Sequence, residues 1–159
     1  MNTEPNTHIT PQSTVSDAID YLAENIDNGV TCPCCDQFAK LYRRSLSSST
    51  ARVLIAMYLH NTDGWVYLPD LKLVRSDEAK ARFWGLIQQR PGLREDGSAR
   101  TGWWRLTHDG VDFVHNRLRV PKTAVIYNGD CLRLEGAPTS IVQCLGARFD
   151  YRALMSEAA

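Results

Sequence analysis

A chain of 159 residues, 43 % hydrophobic and 23 % charged, is long enough for one domain with a core and too apolar to be disordered throughout. No apolar run reaches the length of a bilayer span, and no charged-then-apolar leader opens the sequence, so a cytoplasmic protein without a membrane partner is expected. Five cysteines, three of them in Cys32-Pro33-Cys34-Cys35, do not form the pattern of a secreted disulfide framework.

The net charge of zero conceals a segregation. Residues 71–122 hold eleven Lys and Arg against six Asp and Glu, whereas residues 1–70 hold four against eight. A basic excess confined to one part of the chain is what contact with a phosphate backbone requires.

Residues 1–13 are polar with two prolines and no periodicity, and are expected to form a disordered tail. Thr14 or Ser16 can cap a helix whose Val15, Ile19, Leu22 and Ile26 recur on one face, predicted to be buried, with Asn28-Gly29 closing it. The Cys32–Cys35 turn follows, then a short predicted helix from Asp36 to Arg44 with Phe38, Leu41 and Tyr42 inward. The cysteines admit three readings. Cys32 and Cys35 have the spacing of a zinc knuckle, with Cys34 a candidate third ligand, although a closed structural zinc site needs four. They could also be structural thiols in a tight turn, or a redox pair at a helix start. Residues 14–46 thus read as N-terminal helices joined through a cysteine turn.

Thr50 to His60 reads as a strongly apolar helix with Ala51, Leu54, Ile55, Tyr58 and Leu59 toward the core. Trp65 to Leu68 is a short strand, and Pro69 opens a brief second helix. The next helix is predicted from a Ser76 cap, with Asp77 and Glu78 in its first turn and Ala79, Phe83, Leu86 and Ile87 on its apolar face. Lys80, Trp84 and Gln88 make a second, exposed stripe, with Arg82 and Gln89 near it; the large Trp84 ring also admits a core position or a protein-binding patch. Pro91-Gly92 ends the helix. Leu93-Arg94 starts a strand, Glu95 to Ser98 is turn chemistry, and Gly102 to Leu106 returns as a strand on which one of Trp103 and Trp104 faces in and the other out. Thr107 caps a helix carrying Val111, Phe113, Val114 and Leu118.

Lys122 to Tyr127 and Asp130 to Leu134, joined by Asn128-Gly129, form a hairpin signal. Thr139 or Ser140 can cap a short helix with Ile141, Val142 and Leu145, ended by Gly146, and Phe149 to Met155 makes a last helical turn or two.

The run from Trp84 to Gln89 followed by Arg94 to Val114 resembles the MarR-like and PadR-like winged-helix regulators, with Leu106-Thr107, Gly110 and Phe113 matching the segment that leaves the wing. The resemblance covers roughly residues 50–117. A looser likeness is to small phage and prophage proteins with a comparable cysteine-proline start and a similar tail. Together they imply an α+β fold: a winged helix-turn-helix core at 47–120, the N-terminal helices before it, and a C-terminal β-hairpin plus short helix at 121–159. The implied function is DNA binding by a homodimer in transcriptional or mobile-element control, in a bacterium or a phage-infected cell. Arg75, Lys80, Arg82, Trp84, Gln88, Arg94 and Arg100 are the candidate contacts to double-stranded DNA. The alternative is a phage-encoded interaction module that binds and inhibits a host protein. No motif for a nucleophile, a phosphate loop or a metalloprotease is present, and His108 and His115 near Asp109 and Asp112 are expected to face solvent, so an enzyme is not expected. Beyond the candidate structural zinc, no cofactor is implied.

Overall fold

The computed structural model describes residues 8–61, 64–73, 78–98 and 101–157. Helix α1 (Val15–Asn25) starts in a capping box: the Thr14 hydroxyl accepts from the Asp17 amide, and the Asp17 carboxylate accepts from the Thr14 amide at 2.7 Å. Strands β1 (Val30–Thr31) and β2 (Phe38–Ala39) then pair antiparallel across the cysteine turn. Strand β3 (Tyr42–Ser45) runs on from it.

The helix predicted from Asp36 to Arg44 is therefore not formed. Asp36 takes a left-handed φ of 61°, which turns the chain back on β1, and β3 is held by a partner far away in sequence. Burial follows a two-residue period here, with Ala39 and Leu41 inside and Phe38 and Tyr42 outside.

Helix α2 (Ser48–His60) is capped by Ser47 and forms the centre of the core. It packs against the 3₁₀ turns Leu68–Leu71 and Glu78–Trp84 and against four later elements. Those are β6 (Trp103–Leu106), α3 (His108–Val114), α4 (Ile141–Leu145) and α5 (Tyr151–Ser156). Leu54, Ile55 and Met57 are fully enclosed as a result. Strands β4 (Val66–Tyr67), β5 (Ile87–Gln89) and β6 make an antiparallel sheet in the order β4-β6-β5. A second sheet has the order β3-β7-β8, with β7 (Val120–Tyr127) and β8 (Asp130–Thr139) joined at Asn128 and Gly129, both with positive φ as the predicted turn requires. The fold is mixed α+β with open sheets. The segment 121–159, expected as an extension, shares the central core through Ala124, Ile126, Ile141 and Leu145.

The long helix predicted from Ser76 to Gln89 also differs. Ser76 lies outside the described residues. From Glu78 the chain winds as a 3₁₀ turn that stops at Trp84; Gly85 takes φ 68°, and Ile87–Gln89 is strand, not helix. Three residues per turn instead of 3.6 bring Ala81 and Trp84 onto one face, and both are buried. The strand predicted at Leu93-Arg94 is displaced accordingly to β5. Thr107 caps α3 as predicted, accepting from the Gly110 amide, while Leu118 lies beyond the helix end. Trp104 faces in and Trp103 out. Among the described residues no helix is long and apolar enough to cross a membrane.

Candidate functional site

A cavity of about 680 Å³ opens between the two three-stranded sheets. One wall is the second sheet, where strand alternation sends Tyr42, Arg44 and Ile126 to the same side. The opposite wall comes from the first sheet and its edges: Tyr67, Gly102, Trp104 and Gln89. The 3₁₀ turn adds Ala79, Lys80, Arg82 and Phe83, and the β5–β6 turn adds Arg94. Four cationic side chains from three separate segments thus converge with four aromatic side chains. The described lining contains no carboxylate, imidazole or thiol. A smaller cavity of about 210 Å³ shares Arg44 and Lys80 and is completed by Arg43, Ser45, Ser47, Thr50 and Trp84.

The rings and cations are already associated. The Arg82 guanidinium lies 4.3 Å from the Phe83 ring centroid, and Arg44 lies 5.8 Å from that of Tyr42. At the rim Tyr67 meets Trp103 at 5.4 Å, Arg90 stands over Trp103, and Arg105 stands 4.6 Å over Trp65. Arg43, next to Arg44 but on the other face of β3, is engaged elsewhere. It donates to Glu135 at 2.8 Å and to Asp27 at 3.0 Å. The Glu135 bond, followed by the Asp27 bond, raises the Arg43 pKa, and Arg43 in turn holds the Glu135 carboxyl below its ordinary range.

Of the predicted contacts, Lys80, Arg82 and Arg94 line the cavity together, and Arg75 and Arg100 lie outside the described residues. Trp84 is not exposed: it is 6 % accessible, and its indole Nε1 donates to the Pro121 carbonyl at 2.7 Å. Gln88 is not on a helix stripe but in the middle of β5, facing Arg105 across the ladder and away from the cavity. Arg44, Tyr42 and Tyr67 were not among the expected contacts. The Tyr42-Arg43-Arg44 triplet carried the signal, but only as a strand does its alternation separate Arg44 from Arg43.

The cysteine turn belongs to neither wall. All five cysteines are free thiols. His108 is exposed, with Nε2 3.5 Å from Asp112, and His115 packs edge-on to Tyr58. Among the described residues no three of His, Cys, Asp and Glu are grouped to hold a metal ion. Compared with known proteins, the chain matches no family model, no curated sequence and no solved structure.

Proposed function

We propose that this chain binds nucleic acid through the cavity between its two larger sheets, with duplex DNA as the partner and transcriptional or mobile-element control as the role. One observation carries this reading: Arg44, Lys80, Arg82 and Arg94 converge with Tyr42, Tyr67 and Phe83 on one concave surface. Cations so placed release counterions from a phosphate backbone, and guanidinium groups match phosphate oxygens in pairs. The element order from α2 to α3, with β4 paired to β6, supports a winged-helix reading in which the β5–β6 turn is the wing. A 3₁₀ turn that buries Trp84 offers few side chains to base edges. Backbone contact then dominates, and binding depends steeply on salt and weakly on sequence.

Titration of a labelled duplex at low and raised salt tests this, with a single strand of equal length alongside. If all four cations meet phosphate, the log–log slope of affinity against salt is about −3.5. Absence of binding at low salt would sink the reading. Preference for the single strand would reassign the rings to unpaired bases.

A second reading, a partner protein of an infected host, draws on β8. Among the described strands it pairs only with β7, leaving a ten-residue edge with Leu132 exposed. Such an edge can accept an added strand.

A further inference from the structure

The turn between β1 and β2 is closed by two backbone hydrogen bonds. The Cys32 amide donates to the Gln37 carbonyl at 2.8 Å, and the Asp36 amide donates to the Cys32 carbonyl at 2.9 Å. These bonds close a tight loop, and Asp36 in the left-handed region completes its reversal. The loop carries three free thiols, with Cys32 half-buried and Cys34 and Cys35 exposed. Two sulfurs at C-x-x-C spacing on such a turn are half of a tetrahedral zinc site.

Among the described residues the other half is not present. Every cysteine and histidine lies within the described residues, since residues 1–7, 62–63, 74–77, 99–100 and 158–159 contain neither. None of them joins Cys32 and Cys35 as a third ligand. Cys131 and Cys144 are packed against the core, and His108 and His115 are placed on or beside α3. The same N-terminal segment also leaves apolar surface uncovered: Val15, Ile19 and Phe38 are 73 %, 59 % and 65 % accessible. On the α1 face that its spacing marks for burial, Leu22 and Ile26 are half-buried, whereas among the described residues nothing covers Val15 and Ile19.

We infer that Cys32 and Cys35 form one half of a tetrathiolate zinc site, and that a second copy of this chain supplies the other half. Zinc binding takes two thiolates from each copy, so any of the four still protonated releases its proton on coordination, and no electron is transferred. Cys34, whose side chain lies between the ligands in sequence, is not part of the sphere. The two-chain site is independent of the proposed nucleic-acid cavity, which lies between other strands.

The test is zinc titration of the reduced, metal-free full-length chain, with bound metal and molecular mass measured together. The expected result is one zinc per two chains and a doubling of mass that a chelator reverses. Cobalt in place of zinc should give the strong visible bands of a tetrahedral tetrathiolate. Cys34→Ser should behave as the unmodified chain, whereas Cys32→Ser and Cys35→Ser should stay monomeric with cobalt bands lost. Alkylation of the unmodified chain supplies a readout that needs no variant: zinc should protect two thiols per chain while Cys34 still reacts. One zinc bound per monomer, no zinc bound by reduced protein, or a dimer that resists chelator and falls apart with reductant would each overturn the inference.

Discussion

The Trp84 indole donates to the Pro121 carbonyl at 2.7 Å, and this bond fastens the basic 3₁₀ turn to the first residues of β7. The two partners belong to different sheets' surroundings, so the contact sets the separation of the cavity walls. It also gives a part-buried carbonyl a donor.

Trp84→Phe keeps a buried ring but removes that donor. We expect a loss of about 1–3 kcal/mol, the cost of leaving a part-buried polar group unpaired. Trp84→Ala should cost about 3–5 kcal/mol because it also opens a void. Urea denaturation measures both. If Trp84→Phe instead lowers nucleic-acid affinity with stability unchanged, Trp84 is a contact residue.

Gly110 marks where α3 comes down on the backbone that enters β5. A Cβ at this position would meet the Leu86 carbonyl oxygen, which also accepts from the Thr107 amide at 3.0 Å. Backbone cannot step aside as a side-chain tip can. Gly110→Ala should therefore destabilise by about 1–3 kcal/mol or more, despite the better helix propensity of alanine. A thermal midpoint equal to that of the unmodified chain would contradict this packing.

The Arg43 bridge to Glu135 predicts a pH signature. Its hydrogen bond to the Glu135 carboxyl is the main cause that depresses that group's pKa. A depressed carboxyl contributes stability above its unfolded value, and the contribution is lost as pH falls through the folded value. Glu135→Gln should thus be slightly less stable than the unmodified chain at neutral pH, with the difference closing in acid below the ordinary carboxyl range. Both partners are solvent-exposed, so added salt should shrink the effect. A difference that persists unchanged in acid would place the effect elsewhere than in the ion pair.

Much of the fold was legible because it is local. The Thr14, Thr107 and Ser140 caps, the Asn128-Gly129 turn and the in-out alternation of Trp103 and Trp104 all follow from nearest neighbours in sequence, and all are present. What was not legible depends on distant partners. The segment from Phe38 to Tyr42 has apolar residues at helical spacing, but β7 recruits Tyr42–Ser45 as a strand. Pairing with β6 likewise takes Ile87–Gln89 out of a helix that its charges and caps would support. The candidate site shares this division. Lys80, Arg82 and Arg94 were readable as a basic stretch, whereas Arg44 joins them only through the β3–β7 pairing. The α1 stripe is apolar, but the burial expected for it fails at Val15 and Ile19, which are exposed, because apolarity alone does not say what covers a face.

Arg44 and Gln88 separate the cavity from a conventional recognition helix. Arg44 is on β3 and Lys80 on the 3₁₀ turn, far apart in sequence, and Gln88 is on a strand facing away. The decisive measurement is the salt dependence of duplex binding for Lys80→Ala, Arg44→Ala and Gln88→Ala against the unmodified chain. The cavity account predicts that Lys80→Ala and Arg44→Ala each reduce the slope by about 1, while Gln88→Ala leaves slope and affinity unchanged. A loss of affinity with Gln88→Ala, together with an unaltered slope for Arg44→Ala, would contradict it.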